Sequence, residues 1–153
     1  MMYYLDTSAL VKYYVQESGT PWVMGLCDPA AGHTIATARI TQAEAAAAFA
    51  RKYRNGDFSE RDYTRILKQL ADDFLFEFVL VEITASLINL AVSLTQRHKL
   101  RGYDAVQLAS GLTLNAAVAQ TRHAPITFVG ADKVLLMAAQ DEGLRADNPN
   151  RHS

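Results

Sequence analysis

The sequence predicts a single α/β domain with three layers, in which helices cover both faces of a mainly parallel sheet. Short apolar runs alternate with longer segments of helical composition, and this alternation is typical of strand–helix–strand crossovers. The strand candidates are apolar at consecutive positions, as expected for strands buried on both faces. At 153 residues, of which 50% are hydrophobic and 20% charged, the chain has the size and composition of one globular domain.

The first half of the chain contains two strand candidates, each followed by a helix candidate. Residues 1–5 form an apolar run that fits a buried strand, and a short helix over residues 9–15 ends at "ESGTP". Residues 33–38 are the second strand candidate. The alanine-rich residues 41–54 favour a helix that ends at "NGD".

The second half of the chain continues the alternation. Ser59 opens a helix, with Asp62 as a near-match to a capping box. β-branched and aromatic residues make 76–83 the clearest strand. The remaining elements are a helix over about 84–97, a helix over about 103–115, a strand at 126–130, a helix over about 132–141 and an edge strand at 144–146. We expect a domain over residues 1–146 and a polar, frayed tail over residues 147–153.

Composition excludes several classes of protein. A single cysteine, Cys27, allows no internal disulfide and no multi-cysteine metal cluster, which suits a reducing compartment, and we expect it to be a small buried residue. Neither a signal peptide nor an apolar run of about 20 residues is present, so a cytoplasmic protein without membrane contact is expected. The formal net charge of −1 lacks the basic excess of most nucleic-acid-binding domains. Any such role therefore depends on local patches or on metal ions.

Two basic clusters supply local patches. "RKYR" contains Arg51, Lys52 and Arg54, and "RHKLR" contains Lys99 and Arg101. The structural alternative is a solvated helix end, because cations near a helix C-terminus stabilise its dipole. The sequence leaves both interpretations open.

Four carboxylates are candidates for a functional site, although each has a structural alternative. Asp6 follows the first strand and Asp132 follows the strand at residues 126–130, so either could cap the next helix. Asp104 begins an almost uncharged helix, where it could stabilise the dipole. Glu44 is surrounded by alanines on its helix, and its alternative is a side chain that reaches solvent at the helix edge.

Together the four carboxylates predict a metal site. In doubly wound sheets ligands bind beyond the carboxyl ends of the strands, where the topology switches direction. Carboxylates that meet there repel one another, and a divalent cation relieves the repulsion. Ligands that are all oxygen favour Mg²⁺ or Mn²⁺ over zinc. The sequence has no phosphate-binding loop, no nucleophile elbow, no HExxH and no helical histidine pair, and Ser8 has no evident histidine partner.

Four stretches, in this order, resemble the PIN-domain nucleases, and most of all the VapC-type toxins of bacterial toxin–antitoxin pairs. They are "YYLDTSALVKYY", "ITQAEAAAAFAR", "KLRGYDAVQLAS" and "ITFVGADKVLLMAAQDEGL", and the resemblance covers residues 1–144. It implies a five-stranded parallel sheet and a ribonuclease that depends on Mg²⁺ or Mn²⁺.

The acidic quartet of this family matches Asp6, Glu44, Asp104 and Asp132 of this sequence. The resemblance implies that the three aspartates supply most of the metal contacts, directly or through water. Glu44 would complete the site or orient the water that attacks the phosphorus. Such hydrolysis needs no 2′-hydroxyl, so selectivity for RNA must come from the shape of the substrate and from contacts outside the quartet.

The resemblance also implies supporting residues and partners. Ser8 matches a hydroxyl residue that often supports the site, and Thr7 is a weaker candidate. Many relatives carry Thr or Ser two residues before the last aspartate, where this chain has Gly130, which leaves hydroxyl support on that side open. The two basic clusters become candidate RNA-phosphate contacts. A VapB-like antitoxin and a second copy of the chain are the implied protein partners.

Two other functions stay open at this point. The chain could be a catalytically silent PIN-like module that works through an antitoxin or operator complex. It could also be a phosphatase or phosphoacceptor domain, which is weaker because Ser8 stands where such a phosphatase needs a second aspartate.

Overall fold

The computed structural model describes residues 1–152, which form five strands, seven α-helices and two single-turn 3-10 helices. In chain order the elements are β1 (Met2–Leu5), α1 (Thr7–Tyr14), α2 (Thr20–Cys27), a 3-10 helix (Pro29–Ala31), β2 (Thr34–Ala38), α3 (Thr41–Arg54), α4 (Glu60–Phe76), β3 (Val79–Val81), α5 (Ala85–Arg97), α6 (Gly102–Gln120), β4 (Thr127–Val129), α7 (Lys133–Asp141), β5 (Arg145–Asp147) and a second 3-10 helix (Pro149–Arg151). No helix among these residues combines the length and the apolar composition needed to cross a bilayer.

The five strands form one sheet in the order β3-β2-β1-β4-β5, and every neighbouring pair is parallel. Tyr3 of β1 is opposite Ile35 of β2 on one side and Thr127 of β4 on the other. The chain builds the sheet outward from β1 in one direction through β2 and β3, and then in the other direction through β4 and β5. The predicted α/β class and five-stranded parallel sheet are confirmed, and the direction switches between β1 and β4.

Helices cover both faces of the sheet, and alternate residues of the inner strands β1 and β4 point into two separate cores. Tyr4 and Phe128 pack into the core under α5, α6 and α7. Leu5 and Val129, the next residues of the same strands, pack into the core under α1 to α4. The inner strands β1 and β4 are therefore buried on both sides, which explains why their sequences are apolar at consecutive positions.

One helix of the structure was not predicted, and two elements differ by several residues from their predicted bounds. Helix α2 has no periodic signal in the sequence, because "TPWVMGLC" has no polar face. The helix begins after Gly19, whose φ is 82°, and has proline in its first turn. The strand predicted at residues 76–83 is shortened to β3, because α4 continues through Phe76. Helix α6 continues to Gln120, five residues beyond the predicted end.

The polar tail folds onto the domain, contrary to the expected fraying. Asp147 ends β5, and Asn148 and Pro149 are buried. The His152 ring stacks on Trp22 with a centroid distance of 4.1 Å, and its Nε2 lies 2.8 Å from Asp147 Oδ1. These contacts close the C-terminal end of the chain against α2. Ser153, the last residue of the predicted tail, lies outside the described residues.

Cys27 is half-buried at the end of α2, and burial raises the pKa of its thiol to about 12. It is a free thiol among the described residues. A thiol with so high a pKa carries almost no thiolate near neutral pH, so Cys27 has the chemistry of an inert packing residue.

Candidate active site

A cleft of about 1050 Å³ opens at the carboxyl ends of β1 and β4, where the direction of the sheet switches. Its walls come from α1, α3, α6, the start of α7 and the loop between α5 and α6. The structure brings all four predicted carboxylates and both predicted hydroxyl residues to this cleft, namely Asp6, Glu44, Asp104, Asp132, Ser8 and Thr7. Residues from four separate parts of the chain therefore meet at the edge where ligands of such sheets bind.

Asp6 both caps a helix and lines the cleft. Its Oδ1 accepts hydrogen bonds from Ala9 N at 2.9 Å and from Ser8 Oγ at 2.7 Å, so it is the N-cap of α1. The side chain is only 4% exposed. Burial raises the pKa of Asp6 to about 6, and the nearby negative charges of Asp104 and Glu44 add to this effect. The surroundings of Asp6 thus destabilise the ionised form of its carboxyl group.

Gly130 provides the space for the Asp6 carboxylate. A Cβ atom built on Gly130 would lie 2.7 Å from Asp6 Oδ2, which is too close for any side chain without a shift. Ser8, in the first turn of α1, supplies a hydroxyl to this part of the site. Its Oγ donates to Asp6 and accepts from Ala131 N at 2.9 Å. The start of α1 and the loop after β4 are therefore joined through one hydroxyl.

Glu44 is held in the cleft by two neutral side chains. Its Oε2 accepts from Thr7 Oγ1 at 3.0 Å, and its Oε1 accepts from Gln107 Nε2 at 3.1 Å. Gln107 is 2% exposed, its Oε1 accepts from Tyr4 OH at 2.6 Å, and its Nε2 also lies 2.9 Å from Thr41 Oγ1. This buried network fixes the orientation of Glu44 from β1, α3 and α6 together.

Sequence reasoning missed Gln107, Tyr4 and Thr41. The available signal was a glutamine inside the almost uncharged helix "YDAVQLAS", because a buried amide needs hydrogen-bond partners.

Asp104 and Asp132 complete the acidic side of the cleft. Asp104 lies in the first turn of α6 and is half-buried. Burial raises its pKa, the charge of Asp132 raises it further, and Arg101 acts in the opposite direction. Asp132 is exposed and is the N-cap of α7, since its Oδ1 accepts from Leu135 N at 3.0 Å. As with Asp6, the capping role and the position in the cleft coexist.

The donor set of the cleft fits a hard divalent cation. The four carboxylates offer only oxygen atoms, and a cation would offset both the burial and the mutual repulsion that raise the pKa of Asp6 and Asp104. Within residues 1–152, no three His, Cys, Asp or Glu side chains are close enough to hold one ion directly. Mg²⁺ usually keeps several waters and binds through one or two carboxylates plus substrate phosphates. The spacing therefore agrees with a partly hydrated ion.

The predicted cationic residues divide into two groups. Lys99 and Arg101, in the loop between α5 and α6, line the cleft. Arg51, Lys52 and Arg54 are at the C-terminal end of α3, beyond the part of this helix that lines the cleft.

Sequence reasoning also missed Lys12 and Glu17, which form an ion pair and line the cleft. Lys12 lies in the apolar helix "TSALVKYY", where a lysine is ordinarily expected to reach solvent.

Comparisons with known proteins show the family to which the chain is similar. The family model of the PIN domain matches residues 3–123. The ribonuclease VapC45 of Mycobacterium tuberculosis is 36% identical over 114 residues, which cover 72% of this chain and 75% of that protein.

Solved structures show the same fold at lower sequence identity. VapBC2 from Rickettsia felis, bound to a DNA fragment from its promoter, superposes with a TM-score of 0.59 and 17% identity over 97% of this chain and 98% of that one. A toxin–antitoxin complex from Klebsiella pneumoniae superposes with a TM-score of 0.58 and 19% identity, over 96% of this chain and 97% of that one. On the matched family model and the identity to VapC45, this chain belongs to the PIN-domain family and, within it, to the VapC-type proteins.

Proposed function

We propose that this protein is a metal-dependent endoribonuclease that acts as a VapC-like toxin. The observation that carries the proposal is the meeting of Asp6, Glu44, Asp104 and Asp132 in one cleft at the switch point of the sheet. The similarity to a protein named as a ribonuclease supports RNA as the substrate. The reaction is hydrolysis of a phosphodiester bond by an activated water.

The proposed roles follow from how each carboxylate is held. A Mg²⁺ or Mn²⁺ ion held in the cleft would supply neutralisation of phosphate charge and a lower pKa for a coordinated water. Asp6, Asp104 and Asp132 would hold the ion directly or through coordinated water, and Ser8 and Ala9 N keep Asp6 in place. Glu44 orients the attacking water, because Thr7 and Gln107 leave its carboxylate little freedom to rotate.

Substrate binding in this proposal relies on local cations, since the chain as a whole is close to neutral. Lys99 and Arg101 contact RNA phosphates at the mouth of the cleft. Arg51, Lys52 and Arg54 form the basic C-terminal end of α3. In this proposal they contact phosphates of the RNA strand further from the cleft. These contacts position the chain of phosphates, and selectivity for RNA comes from its shape.

The proposed protein partners are a VapB-like antitoxin and a second copy of this chain. Membership of the VapC-type group supports both. In the antitoxin complex, a segment of the partner would occupy the cleft that RNA otherwise enters.

The test is RNA cleavage by purified protein in Mg²⁺ or Mn²⁺, compared with the same protein in EDTA. Asp6→Asn should abolish cleavage and the growth inhibition caused by expression. Asp72→Asn is the matched control, because Asp72 is an exposed carboxylate paired with Lys68 outside the cleft. Metal binding in calorimetry without any RNA cleavage would favour the silent binding module instead.

A further inference from the structure

Lys12 is a buried lysine in the wall of the cleft. It is 6% exposed, yet it lies among the lining residues together with Ser8, one helical turn earlier on α1. Its Nζ lies 3.1 Å from Glu17 Oε2, and the side chains of Lys12 and Glu17 are 7% and 31% exposed. Lysines are almost never buried to this extent without a partner or a function, because the ammonium loses its hydration.

Stability alone does not explain this lysine. Buried ion pairs contribute little net stability compared with apolar residues of similar size. The loop that carries Glu17 is already fixed by Thr20, whose Oγ1 accepts from Glu17 N at 2.8 Å and donates to Val15 O at 3.1 Å. The loop therefore does not depend on the ion pair for its conformation.

Neutralisation of the acidic quartet does not explain it either. Among residues 1–152, the salt bridge of Lys12 is to Glu17, and none joins it to Asp6, Glu44, Asp104 or Asp132. An ammonium group has three donors, and Glu17 takes one of them. The cleft is thus lined by a cation that is fixed by Glu17, has donors that Glu17 does not occupy, and forms no ion pair with the proposed metal ligands.

We propose that Lys12 contacts a non-bridging phosphate oxygen of the RNA strand in the cleft, with Glu17 fixing the direction of its ammonium group. This inference rests on the proposed function. Lys99 and Arg101 are exposed on a loop, whereas Lys12 is held by a helix and by an ion pair. A cation fixed in this way defines where one phosphate sits relative to the carboxylates.

The experiment measures binding of a fluorescent single-stranded RNA as a function of NaCl. Asp6→Asn serves as the parent protein in Mg²⁺, so that the RNA stays intact. In this background Lys12→Met should weaken binding by at least about tenfold, as for the loss of a hydrogen bond between charged groups. The slope of log K against log salt should fall by about 0.7, the value for one phosphate contact on a single strand. Lys12→Arg should keep most of the slope.

Lys68→Met is the matched control. Lys68 is paired with Asp72 at 3.0 Å, is exposed and lies outside the cleft, so its loss removes the same charge without the proposed contact. It should leave the slope unchanged. Lys12→Gln keeps a hydrogen-bond donor for Glu17 and removes the charge. If Lys12→Met does not fold, the same loss of affinity and the same fall in slope are expected for Lys12→Gln.

The outcomes separate the two proposals. If the wild-type protein cleaves RNA but neutral substitutions of Lys12 bind RNA with the parent slope, the contact is overturned and the nuclease stands. If the wild-type protein cleaves no RNA in Mg²⁺ or Mn²⁺, the proposed function fails and the Lys12 contact fails with it.

Discussion

Gly130 leaves the space that the Asp6 carboxylate occupies, and an alanine there would compete for the same space. A Cβ atom on residue 130 would lie 2.7 Å from Asp6 Oδ2, 3.0 Å from Cγ and 3.3 Å from Oδ1. Unstrained contacts between non-bonded heavy atoms are about 3.5 to 4.0 Å, so the carboxylate has to move by about 0.8 to 1.3 Å. It cannot rotate freely, because Ser8 Oγ and Ala9 N hold Oδ1. The displacement therefore changes the proposed metal site directly.

We expect Gly130→Ala to lower kcat for RNA cleavage by about 10²-fold, since a misplacement of about 1 Å in an active site costs about that much. Overpacking should also lower the free energy of unfolding by about 1 to 3 kcal/mol. Single-turnover cleavage at saturating Mn²⁺ measures the rate, and thermal melting measures the loss of stability.

Gly25→Ala is the control for this experiment. Gly25 lies within α2, and a Cβ atom there meets nothing within 4 Å. It should cleave at the wild-type rate with an equal or slightly higher Tm, because alanine is the better helix former. A folded Gly130→Ala protein with the wild-type rate would refute the idea that Gly130 makes room for Asp6.

Three further predictions test the network around the cleft and the fold. In EDTA, the folded protein keeps a proton on Asp6 between pH 3.8, the ordinary pKa, and the raised pKa of about 6, whereas the unfolded chain has lost it. The free energy of unfolding should therefore fall by up to about 3 kcal/mol as the pH rises through this range. Urea denaturation should show a smaller fall for Asp6→Asn, and equal falls in the two proteins would contradict the raised pKa. Gln107→Leu removes a donor to Glu44, so kcat should drop by about tenfold for a hydrogen bond to a charged group, and an unchanged kcat would mean that the amide does not position Glu44. Gly19→Ala should lower the free energy of unfolding by more than about 2 kcal/mol, because φ is 82° and the Cβ would lie 2.5 Å from Pro149 O; an unchanged Tm would rule out this strain.

The parts of the site that could be predicted from sequence are those fixed by topology. Asp6 directly follows β1, and Asp132 lies three residues after the end of β4. Parallel strands bring such residues to one edge of the sheet. Glu44 was detectable because a carboxylate among alanines needs compensation for burial. From the sequence, capping a helix and lining the cleft are alternative roles for Asp6 and Asp132. The structure shows that each residue does both.

The parts that could not be predicted depend on contacts between distant segments. Helix α2 lacks a polar face, so its sequence carries no periodic signal. The C-terminal tail is ordered because His152 stacks on Trp22, and nothing in the local polar sequence indicates this contact. Lys12 was missed because its burial depends on the loop that brings Glu17 back to α1.

The four carboxylates are proposed to act as one site, and the rates of RNA cleavage by single and combined variants test this most directly. The single variants are Asp6→Asn, Glu44→Gln, Asp104→Asn and Asp132→Asn, and each is expected to lose at least about 10²-fold in kcat at saturating Mn²⁺. Residues that act as a unit are not additive, so Asp6→Asn combined with Asp132→Asn should be no slower than the slower of the two. Losses that multiply in the double variant, or a single variant that cleaves at the wild-type rate, would contradict a shared metal site.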